Sequence, residues 1–103
     1  MRFADLKFRK HPNDPNGVQG FAEFPNGYGA SVARGWGTYG GKDGLYELAV
    51  LDAGGHITYD TPITSDVIGY LTEDGVTRVL AQIEALLPAK AYKVRGKNKT
   101  VIS

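Results

Sequence analysis

The chain has 103 residues, 42% hydrophobic and 22% charged, which is the size and balance of one compact domain with a single core. Twelve Lys and Arg against eleven Asp and Glu leave a formal charge of +1, excluding both a histone-like polycation and an overall polyanionic mimic of DNA. The absence of cysteine excludes disulfides, thiolate zinc sites, iron–sulfur clusters and a cysteine nucleophile, and no stretch approaches the roughly 18 apolar residues of a membrane span. A soluble, cytoplasmic protein stabilised by packing alone is expected.

Residues 2 to 9 set Phe3, Leu6 and Phe8 among Arg2, Asp5, Lys7 and Arg9, an imperfect alternation that predicts a strand at a sheet edge. His11 to Gly17 holds two prolines, two asparagines and a glycine, so it reads as a loop. Val18, Phe21 and Phe24 mark a second strand. Pro25-Asn26-Gly27 then supplies the Asn-Gly pair of a tight hairpin turn, and Tyr28 to Arg34 returns as the third strand.

Seven glycines fall between Gly27 and Gly44, and the part from Gly35 to Gly44 has too little side-chain mass for a core element, so an exposed loop is expected there. Leu45 to Leu51 is the most apolar run and reads as a central strand, with Leu45, Glu47, Ala49 and Leu51 on one face and Tyr46, Leu48 and Val50 on the other. Asp52 to Gly55 is a reverse turn, and His56 to Asp60 is the returning strand. Thr64 or Ser65 is expected to cap a short helical turn from Asp66 to Tyr70. The main helix starts at Thr72, places Glu73 and Asp74 at the positive end of its dipole, and spaces Val76, Val79, Leu80, Ile83, Leu86 and Leu87 along one face until Pro88 closes it. Residues 89 to 103 form a basic tail, read either as a last strand through Tyr92, Val94, Val101 and Ile102 or as a mobile end. The fold class is therefore α+β: an antiparallel meander of four to five strands with one C-terminal helix across a face, in a single domain.

No motif carries an enzyme signature. Gly35-Trp36-Gly37-Thr38-Tyr39-Gly40 has the glycine spacing of a dinucleotide-binding turn, but a strand rather than a helix follows, so the oriented amides that would hold a pyrophosphate are missing. Arg34-Gly35-Trp36-Gly37 resembles the opening of an RNA-recognition signature and then departs from it. His11 and His56 each lack a metal-spaced partner, and no nucleophile elbow surrounds Ser31 or Ser65 for a triad with His56. No cofactor, metal or catalytic residue is expected.

Charge segregation is more informative. Asp43, Glu47, Asp52, Asp60, Asp66, Glu73 and Asp74 lie in a stretch without Lys or Arg, whereas Lys90, Lys93, Arg95, Lys97 and Lys99 lie in one without acids. Either the tail neutralises the acidic edge, or the molecule is bipolar and meets a partner with one pole. The candidate partner-binding residues are Arg34, Trp36, Tyr39 and Lys42 of the glycine-rich loop and Lys93, Arg95 and Lys97 of the tail.

Phe24-Pro25-Asn26-Gly27-Tyr28-Gly29, Tyr39-Gly40-Gly41 leading into Gly44-Leu45-Tyr46-Glu47-Leu48-Ala49-Val50, and Tyr59-Asp60-Thr61-Pro62-Ile63-Thr64 leading into Gly69-Tyr70-Leu71-Thr72 together resemble small accessory proteins of tailed bacteriophages, over about residues 24 to 87. The resemblance implies a protein that binds a host component, including as an inhibitor of CRISPR effectors and other defence systems. No site residue carries over from it. The leading expectation is a non-enzymatic protein docked on a host or phage macromolecule. The alternative is a single-stranded nucleic-acid-binding module using the loop aromatics and the basic tail. A homodimer is a further option if Met1 to Arg9 or Tyr28 to Arg34 lies at an open edge.

Overall fold

The computed structural model describes residues 1–64 and 66–88. Its centre is a five-stranded antiparallel sheet in simple chain order: β1 (Arg9–Lys10), β2 (Val18–Glu23), β3 (Gly29–Arg34), β4 (Tyr46–Leu51) and β5 (Ile68–Leu71). A helix, α1 (Glu73–Glu84), lies across one face. This is the α+β meander expected from the sequence.

Alternation along the strands decides which side chains meet the helix. Ala22, Ala30, Val32, Tyr46, Leu48 and Val50 project to one side, where they enclose a core with Val76, Val79, Leu80 and Ile83 of α1. The helix begins as its sequence demands: the Thr72 side chain accepts a hydrogen bond from Gly75 N at 3.0 Å. Asn26, in the β2–β3 turn, completes its other end. The Asn26 amide donates to the main-chain oxygens of Ile83 (2.8 Å) and Leu86 (3.2 Å), groups that a helix terminus leaves without intrahelical donors. Gly27 beside it takes φ of 92°, the positive value this turn requires. Leu87, expected on the buried face, lies past the end of α1 and is exposed.

Three further expectations are corrected. Residues 2 to 9 form no strand: Phe3–Asp5 makes one 3₁₀ turn, and only Arg9–Lys10 pairs with β2. Phe3, Leu6 and Phe8 all face inward, with Phe3 and Phe8 placing their rings 4.9 and 5.7 Å from that of Tyr46, an arrangement that strict alternation forbids. Phe3 N also donates to Thr77 Oγ1 at 2.9 Å, binding this segment to α1 instead of extending the sheet.

His56 to Asp60 is reduced to a single bridge between Ile57 and Leu51, with Thr58 N donating to Val50 O at 2.8 Å. The chain then turns away at Thr61-Pro62, where proline has no N–H to offer a ladder. The remaining edge of β4 is taken by β5, so the helical turn expected from Asp66 to Tyr70 is a strand. Thr64 Oγ1 both accepts from Asp66 N (3.0 Å) and donates to Asp66 O (2.7 Å), closing a tight turn rather than capping a helix. Ile68 and Leu71 then pack against the core.

β3 is flanked on both sides by β2 and β4, so Tyr28 to Arg34 offers no open edge for a dimer. Of Met1 to Arg9 only Arg9 belongs to a strand, the two-residue β1 at the edge of the sheet. No helix among the described residues is long and apolar enough to cross a membrane. The basic tail, including Lys93, Arg95 and Lys97, and the candidate Ser65 lie outside the described residues.

Candidate functional site

The loop between β3 and β4 folds back over the β4–β5 edge. Its first turn is held by Thr38, whose Oγ1 accepts from Gly35 N and donates to Gly35 O, both at 2.9 Å. Asp14, from the loop before β2, reaches across to accept Trp36 N at 2.8 Å while also accepting Asn16 N at 2.9 Å. These contacts hold the Asp14 carboxyl below its usual range. The Asn16 amide is the largest cause, partial burial opposes it, and the Trp36 and Gly37 amides and the nearby His11 add to the lowering. Glu47 of β4 then accepts Tyr39 N at 3.2 Å.

β5 supplies the second half of the site. Tyr46 pairs with Leu71 and Leu48 with Ile68, so two residues, Gly69 and Tyr70, stand opposite the single Glu47 as a β-bulge. Tyr70 has φ of 56°, the one non-glycine residue of the described chain in the left-handed region, and its N–H donates to Tyr39 O at 3.0 Å. Gly69 lies directly beneath Tyr39, where an added Cβ would clash with the Tyr39 Cβ. The bulge and the loop therefore form one unit.

Together they enclose a shallow cleft of about 240 Å³, lined by Trp36, Thr38, Tyr39, Gly40, Lys42, Asp43 and Tyr70. Trp36, Tyr39 and Tyr70 are 69%, 59% and 63% exposed, and none of the three rings stacks on another. Exposed aromatics normally minimise their wetted area by folding onto the protein; here the backbone beneath them is fixed while their faces remain in water. The cleft is smaller than the roughly 300 to 1,000 Å³ typical of sites that enclose a small molecule.

No known protein family, curated protein or solved structure matches the chain.

The structure thus brings three of the sequence candidates, Trp36, Tyr39 and Lys42, to one cleft and adds Tyr70 and Asp43. Arg34 stands apart. It shares the core-side parity of Ala30 and Val32, and its guanidinium donates to Tyr46 Oη at 3.0 Å while lying 5.1 Å from the centre of that ring. Tyr70 is not among the sequence candidates because Asp66 to Tyr70 reads locally as a helical turn. Only the glycine before it hints at a bulge.

The histidines and serines do not converge. His11 Nδ1 accepts Asn13 N at 3.0 Å within its own loop. His56 sits exposed on its turn, 3.7 Å from Asp52, and Ser31 Oγ accepts from Gln19 Nε2 at 3.0 Å. No hydrogen bond joins Ser31 to His56. Among the described residues no group of three or more His, Asp or Glu is placed to hold a metal ion. The glycine pattern from Gly35 to Gly40 runs into a single 3₁₀ turn at Gly41–Asp43 and then β4, so no helix N-terminus faces it.

A second depression of about 370 Å³ opens on the sheet face away from α1, between Phe21, Glu23, Leu51 and Asp52. It lies over Gly29, where a Cβ would meet Ala22 O at 2.5 Å and where the side-chain row from Glu23 to Leu51 therefore has a gap.

Proposed function

We propose that the protein is a non-enzymatic docking domain whose contact surface is the cleft formed by Trp36, Tyr39, Tyr70, Lys42 and Asp43. The observation that carries this reading is the presentation of three largely exposed rings on a backbone already fixed by Asp14, Glu47 and the Tyr39–Tyr70 hydrogen bond. Trp and Tyr dominate the energetics of protein interfaces, and rings held in place before contact lose little further entropy on binding. The choice of a host macromolecule, such as a CRISPR-type defence effector, as the partner and of the bacterial cytoplasm as the place of action rests on the resemblance to phage accessory proteins read from the sequence of residues 24 to 87 alone.

Single-stranded nucleic acid is the second reading, favoured by Lys42 beside three rings that bases would stack on. Carboxylates weigh against it. Asp14 and Glu47 bind the backbone of the ring-bearing residues, Asp43 lines the cleft, and the Arg34 guanidinium is engaged by Tyr46.

The test is capture of partners from a bacterial host lysate by the wild type and by a Trp36→Ala, Tyr39→Ala, Tyr70→Ala variant of equal helical content, followed by direct binding of the purified partner. Loss of a partner in the triple variant supports docking through the cleft. Equal retention by both proteins removes the cleft from the interface.

A further inference from the structure

Building on the docking function proposed above, we infer that the part of the partner entering the cleft is a cationic peptide segment, with Arg or Lys side chains laid over the exposed rings. The first ground is the charge around the rings. Asp14 is bonded to Trp36 N, Glu47 is bonded to Tyr39 N, and Asp43 lines the cleft, against the single cation Lys42. Beyond the cleft, Asp60, Asp66, Glu73 and Asp74 are exposed, and no Lys or Arg among the described residues pairs with them. A phosphate approaching the rings meets this negative field, whereas a guanidinium or ammonium gains from it.

The second ground is the rings themselves. Aromatic faces are the negative part of the ring quadrupole, so a flat guanidinium stacked on Trp or Tyr is attracted by the ring and by a neighbouring carboxylate at once. The same pairing already occurs inside the molecule, where Arg34 lies over Tyr46 and Arg9 lies 5.9 Å from the centre of Phe21. Trp36, Tyr39 and Tyr70 offer exposed faces of that kind in a cleft that Asp43 lines.

The third ground is the backbone of Tyr70. A bulky residue in the left-handed region is held at a cost, and such costs concentrate where a side chain must point in a set direction. Here the direction is outward, into the cleft bordered by Asp43.

Trp36 is the chain's only tryptophan, so its emission reports the cleft directly. The probes are three: a peptide of alternating arginine and proline, its glutamate–proline counterpart, and an oligothymidylate. Proline keeps both peptides extended, leaving charge as the difference between them. The arginine peptide is expected to shift Trp36 emission saturably, with affinity falling as salt rises. Asp43→Asn, which disturbs no hydrogen bond of the carboxylate, and Glu47→Gln, which keeps an acceptor for Tyr39 N, are expected together to weaken it by about three- to tenfold. If Glu47→Gln loosens the loop, Asp43→Asn alone carries the measurement.

Tighter binding of the glutamate peptide or the oligothymidylate overturns the cationic assignment while leaving docking at the cleft intact. No response to the arginine peptide, or an equal response in the charge-neutral variants, also overturns it. Failure of the docking function itself is read separately, from equal partner capture by the wild type and the triple aromatic variant.

Discussion

Tyr39 and Tyr70 are joined through their main chains, with Tyr70 N donating to Tyr39 O at 3.0 Å, so the loop before β4 and the bulge of β5 move as one body. Gly69 permits this contact because its missing side chain leaves room for Tyr39. Gly69→Ala is expected to push the Tyr39 ring off the bulge, destabilising the fold by about 1 to 3 kcal/mol and weakening partner binding more than any loss of helix explains. Urea unfolding and Trp36 emission on the same samples separate the two effects.

Tyr70 itself poses stability against binding. Tyr70→Gly relieves the left-handed backbone and is expected to stabilise the domain by about 1 kcal/mol, a rise in melting temperature of roughly 4 to 8 °C, while removing a contact ring. Tyr70→Ala removes the ring without relieving the backbone and should bring no such rise. Parallel thermal melts of the two variants decide the matter; equal melting temperatures would show that the backbone at this position is unstrained.

The Asp14 contact is expected to respond to acid. Its folded-state pKa is lowered, chiefly by the Asn16 amide, so the carboxylate's contribution is complete above the ordinary carboxylate value of about 3.9 and disappears as pH falls through the lower folded value. Trp36, whose N–H is held by that carboxylate, should report the release as a change in emission between neutral and strongly acid solution. Asp14→Asn, which does not ionise, should flatten this step. A step unchanged in that variant would assign it to another carboxylate.

Asn26 connects the hairpin turn to the last turn of α1, donating to Ile83 O and Leu86 O while its own Oδ1 accepts Tyr28 N at 3.0 Å. Asn26→Ala is expected to cost about 1 to 3 kcal/mol in denaturant unfolding. Asn26→Asp should cost at least as much, because it keeps the acceptor for Tyr28 but loses the donors and sets a negative charge against the negative end of the helix dipole. A smaller loss for Asp than for Ala would mean that the Tyr28 bond, and not the helix end, carries the effect.

Much of the fold was legible because each element stated its period alone. Val76, Val79, Leu80 and Ile83 mark a helix face, Tyr46, Leu48 and Val50 a strand face, and Asn26-Gly27 a turn, and all keep those roles. Parity along β3 also held the fate of Arg34: two residues beyond Val32, it projects to the side of Tyr46. What sequence reasoning missed depends on tertiary contact. Phe3 and Phe8 share one destination, the Tyr46 ring, which imposes a turn on a segment that otherwise alternates. The β5 bulge depends on an unfilled edge of β4 and on a loop lying over Gly69, and neither leaves a mark in four residues of local sequence. Half of the aromatic cleft was therefore legible, and the half on β5 was not.

The outermost strands bear on how this molecule meets others. β1 has only two residues, both basic, and β5 has four with an irregular register, so neither margin presents the long, flat row of amides and carbonyls on which a neighbour's backbone can zip. Growth into ribbons by repeated strand addition is thereby discouraged at both ends. In the docking function proposed above, selectivity is then set by side chains and is open to change one ring or one carboxylate at a time.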